Sequence, residues 1–136
     1  MSSPSVINLL IADHSQSDID HIVQTLRGDG YQVESLNTDQ TETAHNVINY
    51  QPLDLILLRV ADDLPTLAEV RLMVTEAQQD IPIVAVVDDV GRARYRPAWL
   101  LNEGADNFFY LDDADHLVAV VRAELRHLRA RKRERS

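Results

Sequence analysis

Four segments of this chain end in residues that could do chemistry. VINLLIA runs into Asp13 and His14, LDLILLRV closes a wholly apolar stretch on Arg59, IPIVAVV leads from Val87 into Asp88, and NFFYL ends at Leu111 before a further acidic pair. A carboxylate beside an imidazole can hold a metal ion. A guanidinium can clamp a carboxylate or a phosphate through parallel hydrogen bonds. Arg59 stands out, because a charged side chain at the tip of a buried segment needs a partner.

Other sets of residues are weaker. His14, Asp18 and His21 lie near one another in sequence, but His14 precedes the helix that carries the other two and no further ligand cluster follows. The histidines are expected to be surface residues, and no metal site is expected. The chain has no cysteine, which excludes disulfides, thiolate metal sites and thiol nucleophiles. No nucleophile elbow with partnering His and Asp is present, and RGDG and DVGRA lack the glycine spacing of phosphate-binding loops. Neither an enzyme nor a cofactor is expected. The segment GRARYRP sets Arg92, Arg94 and Arg96 around Tyr95 in what reads as a polar loop, with Trp99 just beyond it. Large aromatics beside arginines are common interface anchors, so these five residues form a candidate interaction surface.

The elements that would position these residues follow from periodicity. VINLLIA is too short for a typical helix and is followed by DHSQSD, rich in helix N-caps. Ile19, Ile22, Val23 and Leu26 then recur at helical spacing until GDG. YQVESL alternates like an edge strand, and Ala44, Val47, Ile48 and Tyr50 mark a second helix. LDLILLRV is apolar on both faces, as a strand covered by helices on both sides would be. A third helix carries Leu67, Val70, Met73, Val74 and Ala77, IPIVAVV is a fourth strand, and Pro97 opens a short fourth helix, PAWLLNE. NFFYL and a long final helix from about Asp115 to Lys132 complete five strand-helix repeats. Such alternation calls for a parallel sheet with right-handed crossovers, and ligands in such sheets bind beyond the carboxyl ends of the strands.

The 136 residues, 45% hydrophobic and 26% charged, suit one domain. The expected division is a disordered stretch at 1–5, the domain at 6–130 and a basic linker or tail at 131–136. No secretory signal or membrane-spanning run is present, so a cytoplasmic location is expected. The net charge of −9 is unevenly spread: seven of the 13 Lys and Arg lie from Arg122 onward, leaving six basic against 20 acidic residues before it, a balance of −14. An acidic body disfavours nucleic acid, so binding of nucleic acid or anionic membrane through the basic tail is only an alternative. Leu128 is the last large apolar residue of the final helix. The helix therefore reads as a connector into a longer chain.

LLIADHSQSD, PLDLILLR, IPIVAVVDD and EGADNFFYLDD together resemble the receiver domains of two-component response regulators, over about residues 6 to 130. The resemblance implies an α/β fold of the flavodoxin-like kind: a five-stranded, doubly wound parallel sheet of order 2-1-3-4-5. It also implies a site made of an acidic pair, an aspartate phosphoacceptor, a hydroxyl and a lysine, which bind Mg²⁺ and accept a phosphoryl group. In this sequence Asp13 keeps the first acid, while His14 stands for the second, Arg59 for the phosphoacceptor, Val87 for the hydroxyl and Leu111 for the lysine. Guanidinium is always protonated and cannot attack a phosphoryl donor, and Val87 and Leu111 cannot hold a phosphoryl oxygen.

The expected function is therefore that of a degenerate, phosphorylation-independent receiver. It would act as a protein-interaction or dimerisation module in bacterial signal transduction, through the fourth helix, fifth strand and last helix, and regulate an attached output domain. Asp13 is the expected ion-pair partner of Arg59; a small-anion sensor built on the same two residues is the alternative. SQSD and DHLVAVVRAELRHLRAR also resemble the degenerate receivers of FimX-like cyclic-di-GMP signalling proteins, although no GGDEF or EAL motif lies in this sequence.

Overall fold

The computed structural model describes residues 6–135, with side chains through residue 130. The elements in chain order are β1 (Val6–Ala12), α1 (Gln16–Gly28), β2 (Gln32–Thr38), α2 (Thr41–Tyr50), β3 (Leu55–Arg59), α3 (Leu67–Glu76), β4 (Ile83–Val87), α4 (Asp89–Arg94), α5 (Pro97–Asn102), β5 (Asn107–Tyr110) and α6 (Ala114–Arg135). All strand pairs are parallel and the sheet order is β2-β1-β3-β4-β5. This is the flavodoxin-like arrangement expected from the sequence.

Strand parity divides the core into two layers, because successive side chains point to opposite faces. Ile7, Leu9 and Ile11 of β1, Leu55 and Leu57 of β3, and Val84 and Val86 of β4 pack against α1 and α6. Leu10, Ile56, Leu58, Ile83, Ala85 and Val87 face the other way, against α2, α3 and α5. Every residue of β3 and β4 is buried, whereas β2, at the edge, buries only Val33. The same parity sends Asp13 and Arg59, each two residues beyond a core position, toward α1. Val87 goes to the opposite layer.

Helix starts are set by side-chain caps. Ser15 accepts from the Asp18 amide at the start of α1, and Thr66 and Glu69 form a reciprocal capping box on α3. Asp113 accepts from the His116 amide at the start of α6. Arg122 of α6 then makes a two-pronged bond to Asp29, just past the end of α1, at 2.6 and 3.1 Å.

Two elements depart from the sequence reading. The stretch expected as a polar loop before Pro97 contains a helix, α4, so the helix expected fourth is α5. Gly91, a poor helix former, hides α4 from pattern analysis. The position is nonetheless crowded: a Cβ at Gly91 would lie 3.1 Å from Val87 Cγ1 and 3.3 Å from the Tyr95 ring. The final helix also runs on to Arg135, past its expected end at about Lys132. The expectations for residues 1–5 and for the basic side chains of 131–136 lie outside the described residues.

Candidate functional site

Arg59 is the centre of the site. It leaves the end of β3 with only 8% of its surface exposed, and three carboxylates from three different elements close on it. Nη1 donates to Asp13 Oδ2 at 3.1 Å and to Asp18 Oδ2 at 2.8 Å, and Nη2 donates to Asp88 Oδ2 at 2.6 Å. Asp13 follows β1, Asp18 lies in the first turn of α1, and Asp88 follows β4. Nε is buried without an acceptor.

Asp13 and Asp88 are also held from behind. Asp13, 3% exposed, accepts the Ser15 amide on Oδ1 at 3.0 Å. Asp88 uses Oδ1 to accept the Gly91 amide at 2.7 Å, capping α4 with one oxygen while the other grips Arg59. His14 bridges outward, with Nδ1 3.3 Å from Asp13 Oδ1 and Nε2 3.3 Å from Asp63 Oδ2.

The electrostatics are those of a mutually stabilised cluster. Burial by itself would lower the pKa of Arg59. The hydrogen bonds to Asp18 and Asp88 and the charges of Asp13 and Asp88 outweigh burial and raise it above the ordinary arginine value, so the guanidinium is permanently charged. Burial would raise Asp88, but the Gly91 amide and Arg59 prevail and hold its carboxyl below the usual aspartate value.

The donor set does not fit a magnesium ion in the manner of a phosphorylated receiver, because a guanidinium occupies the middle of the acidic cluster. Among the described residues no group of three or more His, Asp or Glu is arranged to hold a metal. Three carboxylates around one guanidinium also leave a formal local charge of −2, which repels anions. Both Nη atoms of Arg59 are already engaged by carboxylates.

Of the candidate residues, Asp13, His14 and Arg59 come together. Val87 is 1% exposed in the layer facing α2 and α3, and the side chain that reaches Arg59 from this strand end is its neighbour, Asp88. Leu111 packs, partly buried, against the layer under α1 and α6. The sequence reading missed Asp18 and Asp88 as partners of Arg59. Their signal was position: one lies in the first turn of the helix after β1, and the other continues the parity of Val84 and Val86 toward α1.

The five surface candidates form a second group on α4 and α5. Arg92 lies 3.9 Å over the Tyr110 ring and 3.8 Å from Asp112. Arg94 pairs with Asp62 at 2.9 Å and Tyr95 stacks on Trp99 at 4.9 Å between centroids, while Arg96 is exposed ahead of Pro97. Val90, Trp99 and Leu101 are 73%, 42% and 48% exposed.

No family model matches this sequence, and no curated protein sequence does. Solved structures do. NtrX from Brucella abortus in complex with ATP superposes with a TM-score of 0.73 at 18% identity, covering 94% of this chain and 28% of that one. The fold is that of a receiver domain. The receiver domain of the TMAO respiratory system response regulator TorR matches with a TM-score of 0.69 at 20% identity, over 89% of this chain and 98% of that one. A protein described as one of a family of streptococcal redox sensors evolved from two-component response regulators gives 0.73 at 15% identity, over 94% and 55%. This chain spans little more than a quarter of NtrX and about half of the redox sensor. No described helix is long and apolar enough to cross a membrane.

Two predictions follow from the cluster. Arg59→Met keeps the length of the side chain but strands three carboxylates, and is expected to lower unfolding free energy by about 3–5 kcal/mol at neutral pH in urea titration. A loss under about 1 kcal/mol would show that the cluster relaxes freely without its cation. Asp88 has a depressed folded-state pKa, so the stability it adds is present above the unfolded aspartate value of about 3.9 and is lost as pH falls through the folded value. The stability gap between wild type and Asp88→Asn should therefore be widest near neutrality and close below about pH 4.

Proposed function

We propose that this chain is a receiver-fold module that works without phosphorylation, as an interaction or dimerisation unit in bacterial signal transduction. The observation that carries the reading is Arg59 with its three carboxylates at the end of β3. A permanently protonated group replaces the nucleophile that the receiver resemblance calls for, and it satisfies the surrounding acids internally. With no hydroxyl at Val87 and no cation at Leu111, nothing would hold a transferred phosphoryl group. The surface of α5, β5 and α6, with Arg92, Arg94, Tyr95, Arg96 and Trp99 alongside, is the proposed contact face. Exposed Trp99 and Leu101 give it apolar anchors, and the arginines give it charge that the acidic body lacks.

Attachment to an output domain is part of the same proposal. NtrX and the streptococcal redox sensor, in which the matched fold is one part of a longer chain, support it. An output of the GGDEF or EAL kind rests only on the short resemblances in SQSD and the final helix.

Incubation with acetyl phosphate and Mg²⁺, followed by intact-mass measurement, should show no labile phosphoryl adduct; an adduct that forms on wild type and is lost on mild base treatment would overturn phosphorylation independence. Self-association is tested by sedimentation. The expected result is a concentration-dependent shift toward dimer that Leu101→Ser weakens, and a fixed monomer at high micromolar concentration would remove dimerisation from the reading.

A further inference from the structure

On the far side of β3 from the carboxylate cluster lies a separate cleft of about 280 Å³. Its floor is Leu58 and the first residue of α3, Leu67, both buried. One wall is the β3–α3 connection, with Val60 and Pro65. The other is the corner between α4 and α5, where Tyr95 and Trp99 lie nearly parallel, 18° apart in plane.

The lining is mostly apolar, and its polar groups gather at the rim. Asp62 and Arg94 reach across the mouth from opposite walls and meet at 2.9 Å. Both side chains are more than half exposed, and an ion pair in that setting contributes little stability, so it opens readily. The Arg94 guanidinium lies 5.3 Å from the centre of the Tyr95 ring, over the aromatic wall. Thr66, the cap of α3, completes the rim.

These features specify a ligand. Parallel stacked rings with an exposed outer member accept another flat ring by offset stacking. A guanidinium held at the edge of such a wall is placed to take a planar anion by a charge-assisted bond. The volume lies just below the usual range for ligand pockets and suits one or two fused rings. A broad protein contact would lie flat on this surface and leave the depth over Leu58 unfilled.

We propose that the cleft binds a small flat aromatic molecule bearing one anionic group, with its ring against Trp99 and its anion on Arg94 in place of Asp62. None of the residues lining the cleft belongs to the Arg59 cluster. It involves no covalent step.

Naphthoate serves as the probe, titrated into the full chain and followed by calorimetry and by proton–nitrogen NMR. Trp99 is the only tryptophan, so one indole N–H signal reports the wall directly. The expected result is saturable binding of one naphthoate per chain with a matching shift of that signal. Arg94→Gln should weaken binding by about fivefold or more, the loss of one charge-assisted hydrogen bond. Naphthalenemethanol, which lacks the anion, should bind wild type and Arg94→Gln equally, and octanoate, which lacks the ring, should leave the indole unmoved. Trp99→Leu, at a partly exposed position, should abolish the calorimetric signal without unfolding the domain. Absence of saturation up to about millimolar concentration, binding that leaves the indole signal unchanged, or unaltered naphthoate affinity in Arg94→Gln would each overturn the proposal.

Discussion

One guanidinium shared among three carboxylates organises the functional end of this molecule. Asp13, Asp18 and Asp88 come from the loop after β1, the first turn of α1 and the loop after β4, and none of them could stay so close to the others without Arg59 between them. The buried strand delivers the charge, and the parity of the sheet aims it. A core of Leu, Ile and Val on β3 fixes that aim, because a slip of one residue would turn Arg59 toward α2 and α3 and leave the acids unpartnered.

The same arrangement separates fold from chemistry. Similarity to receiver structures at 15 to 20% identity reflects the sheet, its order and its two helical layers. What the strand ends can do is decided by a handful of side chains that fold similarity does not constrain. Here those side chains place a guanidinium among the acids in place of an open acidic pocket.

The strands and most helices could be read from the sequence because their signals are local. LDLILLRV and IPIVAVV are apolar on both faces, and Ile19, Ile22, Val23 and Leu26 mark one helix face without ambiguity. The Asp13 to Arg59 contact was also accessible, since adjacent parallel strands bring their ends together. For Asp18 and Asp88 position alone was the signal, and it was not enough to assign them, because their roles depend on how far a helix turn leans over the sheet and on which way a capping carboxylate rotates. The helix α4 escaped for a related reason: Gly91 argues against a helix locally, and only the close approach of Val87 and Tyr95 explains it.

Asp88 shows how tightly these parts are joined. Its two oxygens are engaged on opposite sides, one by the Gly91 amide and one by Arg59. A carboxylate held at both oxygens cannot turn about its Cβ–Cγ bond without releasing both partners together. The first turn of α4 and the tip of β3 are therefore tied to each other through one side chain, and the orientation of that carboxyl is common to both.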